Sequence, residues 1–295
     1  MKFRCQYCGA ETDVRAAMAG KLASCRLCGM ENVIPEGPFY RLRIRGLLLW
    51  GFVSAFAIGV VDLILESSGS ELDLKYVWFL WFHALILIWS LWRMKRLGIN
   101  IRRIIGRVPE GHRWLPTAGM VVPLILFAIG SGGVLFQFLS WVAPSFAKEW
   151  FAAEEPSAFQ MFFLIALVPP IEELFFRGVL IHRWAEKWDI KQAIFVSTVV
   201  FAALHKNIIG ALAYGFALSV LYIRTRTLIV PLVCHLLINA LAVGMSGVEG
   251  ESGSAASQLL FSLICLILSI PWLVYFMRKN WPDRSWDIPY FANKN

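Results

Sequence analysis

Pro169-Pro170-Ile171-Glu172-Glu173-Leu174-Phe175-Phe176-Arg177-Gly178 lies inside an apolar segment running from about Ala158 to Ile181. Such a segment is long enough to span a bilayer. Two adjacent carboxylates and an arginine are out of place in hydrocarbon, where each costs at least about 2.5–3.5 kcal/mol at the centre of a membrane helix. Groups of this kind persist where they face a protein interior and are paired, which makes a functional site the first expectation. On a helix, Glu173 and Arg177 share one face, with the acid N-terminal to the base, the favourable order for an ion pair. Glu172 points about 100° away. One carboxylate is thus neutralised by Arg177, and the other is left for chemistry.

The rest of the chain has the same character. It is 58% hydrophobic with 13 Trp, too apolar for a soluble domain and rich in the ring type that marks membrane interfaces. The net charge of +8 does not indicate nucleic acid, because Lys and Arg fall in loops between apolar runs and act as topology signals. The pattern predicts an all-α polytopic membrane protein with about eight transmembrane helices, over 46–65, 74–92, 117–142, 158–181, 192–205, 208–223, 228–245 and 259–277. Basic stretches at 41–45, 93–107, 183–191, 224–226 and 278–279 are expected inside. Acidic or Gly/Ser loops at 66–73, 143–157 and 246–257 are expected outside. Both termini then lie in the cytoplasm, in a multi-pass protein of the cell membrane. Between the second and third spans, Leu97, Ile99, Ile101, Ile104 and Ile105 alternate with bases, as in a surface-lying amphipathic piece. Long apolar runs without strand alternation exclude a barrel.

Residues 1–36 read as a separate cytosolic head. They are polar, with no cleavable signal peptide. Cys5-x-x-Cys8-Gly9 and Cys25-x-x-Cys28-Gly29 are separated by 16 residues. Two such knuckles signal structural zinc more strongly than two disulfides. Four thiolates, from Cys5, Cys8, Cys25 and Cys28, close a tetrahedral site, as in a zinc ribbon. Residues 37–45 are expected to be a linker, 46–278 the membrane domain with its motif core at 158–246, and 279–295 a cytosolic tail. Cys234 and Cys265 lie in apolar runs as buried hydrophobes.

Two further spots match the opening stretch in kind. Phe201-x-x-x-His205 ends the fifth span, and His235-x-x-x-Asn239 places two polar side chains on one face of the seventh. The other histidines compete poorly. His83 is a lone ring among Trp and Phe, and His112 and His182 sit in or beside cytosolic loops. The three motifs, in order on successive apolar spans, resemble those of the CPBP intramembrane proteases, which include type II CAAX prenyl endopeptidases. The resemblance covers about residues 117–246. It implies that Glu172 and His205 hold and activate a water, that His235 and Asn239 stabilise the oxyanion, and that Glu173, Arg177 and Phe201 support the site.

Physical chemistry is compatible with that assignment. Hydrolysis needs a base, a water and donors for the oxyanion, and Glu172 is the carboxylate not taken by Arg177. Two His and a Glu also form a catalytic zinc set. Zinc on Glu172 would leave no obvious second carboxylate as base, so a metal-independent reaction is favoured. The expected partners are the lipid bilayer and a peptide or protein substrate, membrane-associated ones included. A non-catalytic immunity or scaffold protein of the same fold would be marked by loss of one of the four polar groups, and none is lost. A transporter with an intramembrane ion relay would be marked by inverted repeats and broken helices, and neither is visible.

Overall fold

The computed structural model describes residues 2–68, 75–151, 157–246, 254–283 and 286–293. At the N-terminus, β1 (Lys2–Arg4) pairs antiparallel with β2 (Glu11–Asp13), and β3 (Leu22–Ser24) with β4 (Glu31–Val33). Each hairpin turns through one cysteine knuckle, so the head is one small unit built twice. Gly9 and Gly29 close the knuckles at φ of +73° and +72°, a left-handed conformation that glycine enters without a Cβ penalty.

The stretch expected as a linker is packed. Phe39 and Leu42 are fully buried. Phe39 stacks on His182 at 4.7 Å, and Leu42 accepts a hydrogen bond from Arg183 Nε at 2.8 Å. The Tyr40 N–H donates to Glu186 Oε2 at 2.6 Å. Burial pushes the Glu186 carboxyl up to about 7, against the pull of the Tyr40 and Phe39 N–H groups. Gly37 lies against the same carboxylate, where a Cβ would collide with it. Ala16, on the helical turn Ala16–Met18, joins the same buried cluster. The head and residues 37–44 therefore form a strap across one end of the membrane domain.

The helices that follow are α1 (Arg45–Ser67), α2 (Lys75–Arg96), α3 (Ile101–Ile105), α4 (Trp114–Gly119), α5 (Val121–Val142) and α6 (Pro144–Trp150). A helical run over 158–187, α7, comes next. It is followed by α8 (Ile190–Ala202), α9 (Ile208–Thr225), α10 (Ile229–Ser246), α11 (Ala255–Asn280) and α12 (Pro289–Ala292). Apolar helical elements occupy all eight expected places. Five stretches are long and apolar enough to cross a membrane by themselves: Arg45–Leu65, Val77–Arg96, Trp114–Val142, Ile208–Thr225 and Ala255–Asn280. Ile190–Ala202 and Ile229–Gly244 are shorter; at 1.5 Å per residue the first spans only about 20 Å. Glu154, Glu155, Glu249 and Glu251, which mark two of the expected outer loops, lie outside the described residues.

Close helix packing relies on small residues, as is usual in membranes. A Cβ on Gly130 of α5 would stand 2.7 Å from Ser262 O of α11, and one on Gly133 would overlap the Ser262 hydroxyl. The C-terminal segment is packed too. Ile288 and Tyr290 are buried. Asn293 Nδ2 donates to Arg103 O and Arg226 O at 2.8 Å, and Arg103 Nε donates to Asn293 O at 3.1 Å.

Candidate active site and metal centre

The α7 run alternates between two helical registers. It is α-helical over Ala158–Phe162, Val168–Glu172 and His182–Lys187, and π-helical over Phe163–Leu167 and Glu173–Ile181. Pro169 follows directly on the first π turn, which closes with the Val168 N–H on Phe163 O. In that i→i+5 register the Leu164 carbonyl would receive the N–H of residue 169, which proline lacks. Asn239 Nδ2 donates to Leu164 O instead, at 2.9 Å. A backbone acceptor at membrane depth is thus satisfied by a neighbouring helix. Sequence reading places Asn239 beside the reaction; the geometry adds that it holds α7 next to the carboxylates.

Glu173 and Arg177 form the anticipated pair, Nη1 donating to Oε1 at 2.9 Å, with both side chains 1% exposed. Arg177 Nη2 donates to Gly215 O at 3.1 Å, and the guanidinium lies 4.8 Å from the Phe201 ring centroid. A Cβ on Gly215 would press on Thr198 at 2.9 Å and Phe201 at 3.2 Å. Phe201 is fully buried between Phe176, Tyr214 and His205.

Glu173 also has a second partner, since His235 Nδ1 lies 2.8 Å from the same Oε1. A carboxylate paired with arginine only accepts, so Nδ1 carries the proton. Nε2 of His235 lies 2.8 Å from the Tyr214 hydroxyl and 3.6 Å from Glu172 Oε2. Glu172 Oε1 lies 3.7 Å from His83 Nε2. Glu172, 13% exposed against 1% for Glu173, is the less enclosed of the two carboxylates, and it stands between two imidazoles.

His205 sits past the end of α8. Its Nδ1 lies 2.8 Å from Phe201 O, and its ring packs on Phe201 at 4.3 Å. Its ring centroid lies 6.2 Å from that of Tyr214, which in turn lies 5.2 Å from that of His235. A turn at 203–207 carries His205, pinned by Asn207, which donates to Ala128 O at 2.7 Å and caps α9 through Gly210 N.

Two residues of the cluster were not anticipated. His83 was read as a packing ring, yet it faces Glu172. The signal that flagged His235, a polar ring in a hydrocarbon-spanning run, was present at His83 and was set aside. Tyr214 carries no sequence signal beyond its position in an apolar helix. His182, expected near a cytosolic loop, is fully buried. It accepts from Tyr290 N–H at Nε2, so Nδ1 donates to Arg177 O at 3.1 Å and ties α12 to α7.

Residues 154–241 match the Rce1-like family, described as type II CAAX prenyl endopeptidase Rce1-like. The match spans 88 of the 295 residues. Glu172, Glu173, Arg177, Phe201, His205, Tyr214, His235 and Asn239 all fall within the matched segment, whereas His83 lies outside it. Over 89 residues the chain is 34% identical to a Bacillus subtilis (strain 168) protein named "Putative membrane peptidase YdiL". The alignment covers 29% of this chain and 36% of that relative. No solved structure matches the chain.

The second centre is in the head. The sulfurs of Cys5, Cys8, Cys25 and Cys28 lie within 4.8 Å of one another. Cys5–Cys28 and Cys8–Cys25 are each 3.7 Å apart. A tetrahedron with metal–sulfur bonds of about 2.3 Å has sulfur–sulfur edges of about 3.8 Å. Backbone N–H groups of Cys8 and Tyr7 hold the Cys5 thiol down at about 6, and those of Cys28 and Leu27 lower Cys25. The spacing of the four sulfurs therefore fits a metal ion; backbone donors favour the thiolate at Cys5 and Cys25, whereas, against the Met30 N–H, burial and the neighbouring sulfurs push the Cys28 thiol up to about 12.

The membrane cluster was tested against the same requirement. His235 is engaged at both ring nitrogens, by Glu173 and by Tyr214. Zinc on Glu172, His205 and His235 would have to displace Tyr214 from Nε2, the one ring nitrogen of His235 not held by Glu173. Among the described residues, the four cysteines are the one group whose ligand atoms converge.

Proposed function

We propose that this protein is an integral membrane endopeptidase that hydrolyses peptide bonds at a site within the bilayer. The observation that carries the reading is Glu172, the less enclosed member of a carboxylate pair, standing beside His83 and His235. In the proposed reaction Glu172, with His205, holds a water and takes its proton. The oxygen attacks the scissile carbonyl carbon, and the carbonyl π electrons become the oxyanion. Collapse breaks the C–N bond, and the proton on Glu172 passes to the leaving amine.

The oxyanion is met by donors from α10. Asn239 has two amide N–H groups, one on Leu164 O and a second for the oxyanion. His235 donates from Nε2 when that nitrogen is protonated, with Glu173 on Nδ1 balancing the charge. Arg177 and Phe201 position this pair. The substrate is a peptide or protein that reaches the membrane face. In this reading, which the charge pattern supports, both termini lie in the cytoplasm, and a zinc ion held by Cys5, Cys8, Cys25 and Cys28 shapes the head.

Comparison of protein termini from cells carrying the wild type or Glu172→Gln identifies the cleaved bonds. A peptide spanning such a bond is then assayed with purified protein in liposomes. Glu172→Gln should lower kcat by at least about 10²-fold, the scale of a general base. A strong chelator should leave the wild-type rate standing if the chemistry uses no metal. Identical termini in both cells, or normal cleavage by Glu172→Gln, would overturn the assignment.

A further inference from the structure

A cavity of about 1640 Å³ opens at one end of the membrane domain, between the strap, the start of α1, the last turns of α2 and the end of α7. It is divided by chemistry. Arg41, Arg43, Arg45, Arg93, Arg183 and Lys187 line one part, with Glu36 as the one acid. Glu36 already faces Arg41 at 3.5 Å. Glu186, the other acid near Arg183, is turned to the Tyr40 N–H and does not line the space. Six cations against one carboxylate leave a surplus of five positive charges.

Two of these cations are incompletely satisfied. Arg93 Nε and Arg183 Nη1 are buried without a hydrogen-bond partner. The remaining contacts of each are weak, backbone or ring ones: Arg93 Nη2 to Arg41 O at 3.4 Å, Arg183 Nε to Leu42 O at 2.8 Å, and the guanidinium groups of Arg93 over Trp92 and of Arg183 over Tyr40. Buried guanidinium donors are retained where an anion completes them, and the fork matches a phosphate.

The other part of the cavity is apolar. Leu48, Trp50, Leu85, Ile88, Trp89 and Trp92 line it. Leu48, Trp50 and Ile88 are each more than three-fifths exposed, so this part opens sideways, towards the position of the lipid chains. Arg45 begins α1 and Arg93 lies in the last turn of α2. Leu85 lies about 12 Å deeper along the helix than Arg93. The charge therefore sits at interface depth and the apolar wall beneath it, the profile of an anionic amphiphile standing in a bilayer.

We propose that this cavity holds an anionic phospholipid, its phosphate on Arg93 and Arg183 and its acyl chain along Leu85, Ile88 and Trp89. The lipid would join the strap, α2 and α7. Because α2 carries His83 to Glu172, occupancy would steady one side of the candidate active site.

The test uses full-length protein in a neutral detergent, followed by intrinsic tryptophan fluorescence on heating. Added phosphatidylglycerol should raise Tm by at least about 3 °C, while phosphatidylcholine of the same chains and glycerol 3-phosphate should not. Arg93→Gln should remove most of that preference. Arg183→Gln is the second variant, should Arg93→Gln melt well below wild type without lipid. Arg278→Gln with Lys279→Gln removes charge at the end of α11, outside this cavity, and should keep the preference. Equal shifts with both lipids would overturn the proposal. So would a glycerol 3-phosphate shift matching phosphatidylglycerol, which would mean a site for a free phosphate ester. Loss of the preference in the Arg278/Lys279 variant as large as in Arg93→Gln would reduce the effect to general surface charge.

Discussion

Glu172 and Glu173 are covalent neighbours with different partners. Glu173 is enclosed, bonded to Arg177 and to His235 through one oxygen, while Glu172 faces the space between His83 and His235. Removing the Glu173 charge leaves Arg177 buried and uncompensated, a change that typically costs about 3–5 kcal/mol. Glu173→Gln should therefore lower Tm in detergent and, through His235, the cleavage rate. Glu173→Gln with Arg177→Met should recover part of the stability, because no bare charge is left, without recovering the rate, because His235 still lacks its carboxylate. A double variant as unstable as Glu173→Gln alone would show that the pair is not the source of the loss. The i, i+4 spacing made this pair legible in advance. The second bond, to His235 on α10, was not, because spacing along one helix carries no information about what another helix delivers to the same oxygen.

At the scale of the element, α7 departs from a plain helix where Pro169 removes a donor, and α10 supplies a replacement through Asn239. Asn239→Ala should leave the Leu164 carbonyl unsatisfied, at about 1–3 kcal/mol. Pro169→Ala restores an N–H to α7. If the two changes are linked, the double variant should be less destabilised than the sum of the singles, read from melting curves as a coupling of at least about 0.5 kcal/mol. Strict additivity would show that the carbonyl finds another partner. The prolines were visible in the sequence, as was the pairing of His235 with Asn239 on one face. The π register was not visible, because it follows from which carbonyl is relieved by a side chain distant in sequence.

In the whole molecule, the cysteine head is part of the packed structure. Ala16, Phe39 and Leu42 belong to the same buried cluster as α7 and α9 residues. Metal binding to such a small unit is coupled to its folding. Full-length protein should carry one zinc per chain by metal analysis. Its removal under reducing conditions should lower the Tm of the membrane domain as well as unfold the head. An unchanged membrane-domain Tm in zinc-free protein would mean that residues 37–44 alone make the strap and that the head is an independent appendage. The reading of a separate head rests on its having no residue in the membrane set. Phe39 and Leu42, just beyond it, are too few for a core of their own but enough to dock.

Consecutive residues by themselves determined the eight apolar helical places, the two knuckles that turn the hairpins, and the Glu173–Arg177 pair. Each is a local matter of period, spacing or hydropathy, encoded within one element. Only the tertiary structure decided that His83 and Tyr214 join the cluster, that His205 turns back over Phe201, and that Asn239 completes a neighbouring helix. Each of these depends on which faces of separate helices meet. Helix packing is set by the summed fit of many small contacts, such as Gly130 and Gly133 against Ser262, and no single stretch of the chain carries that sum.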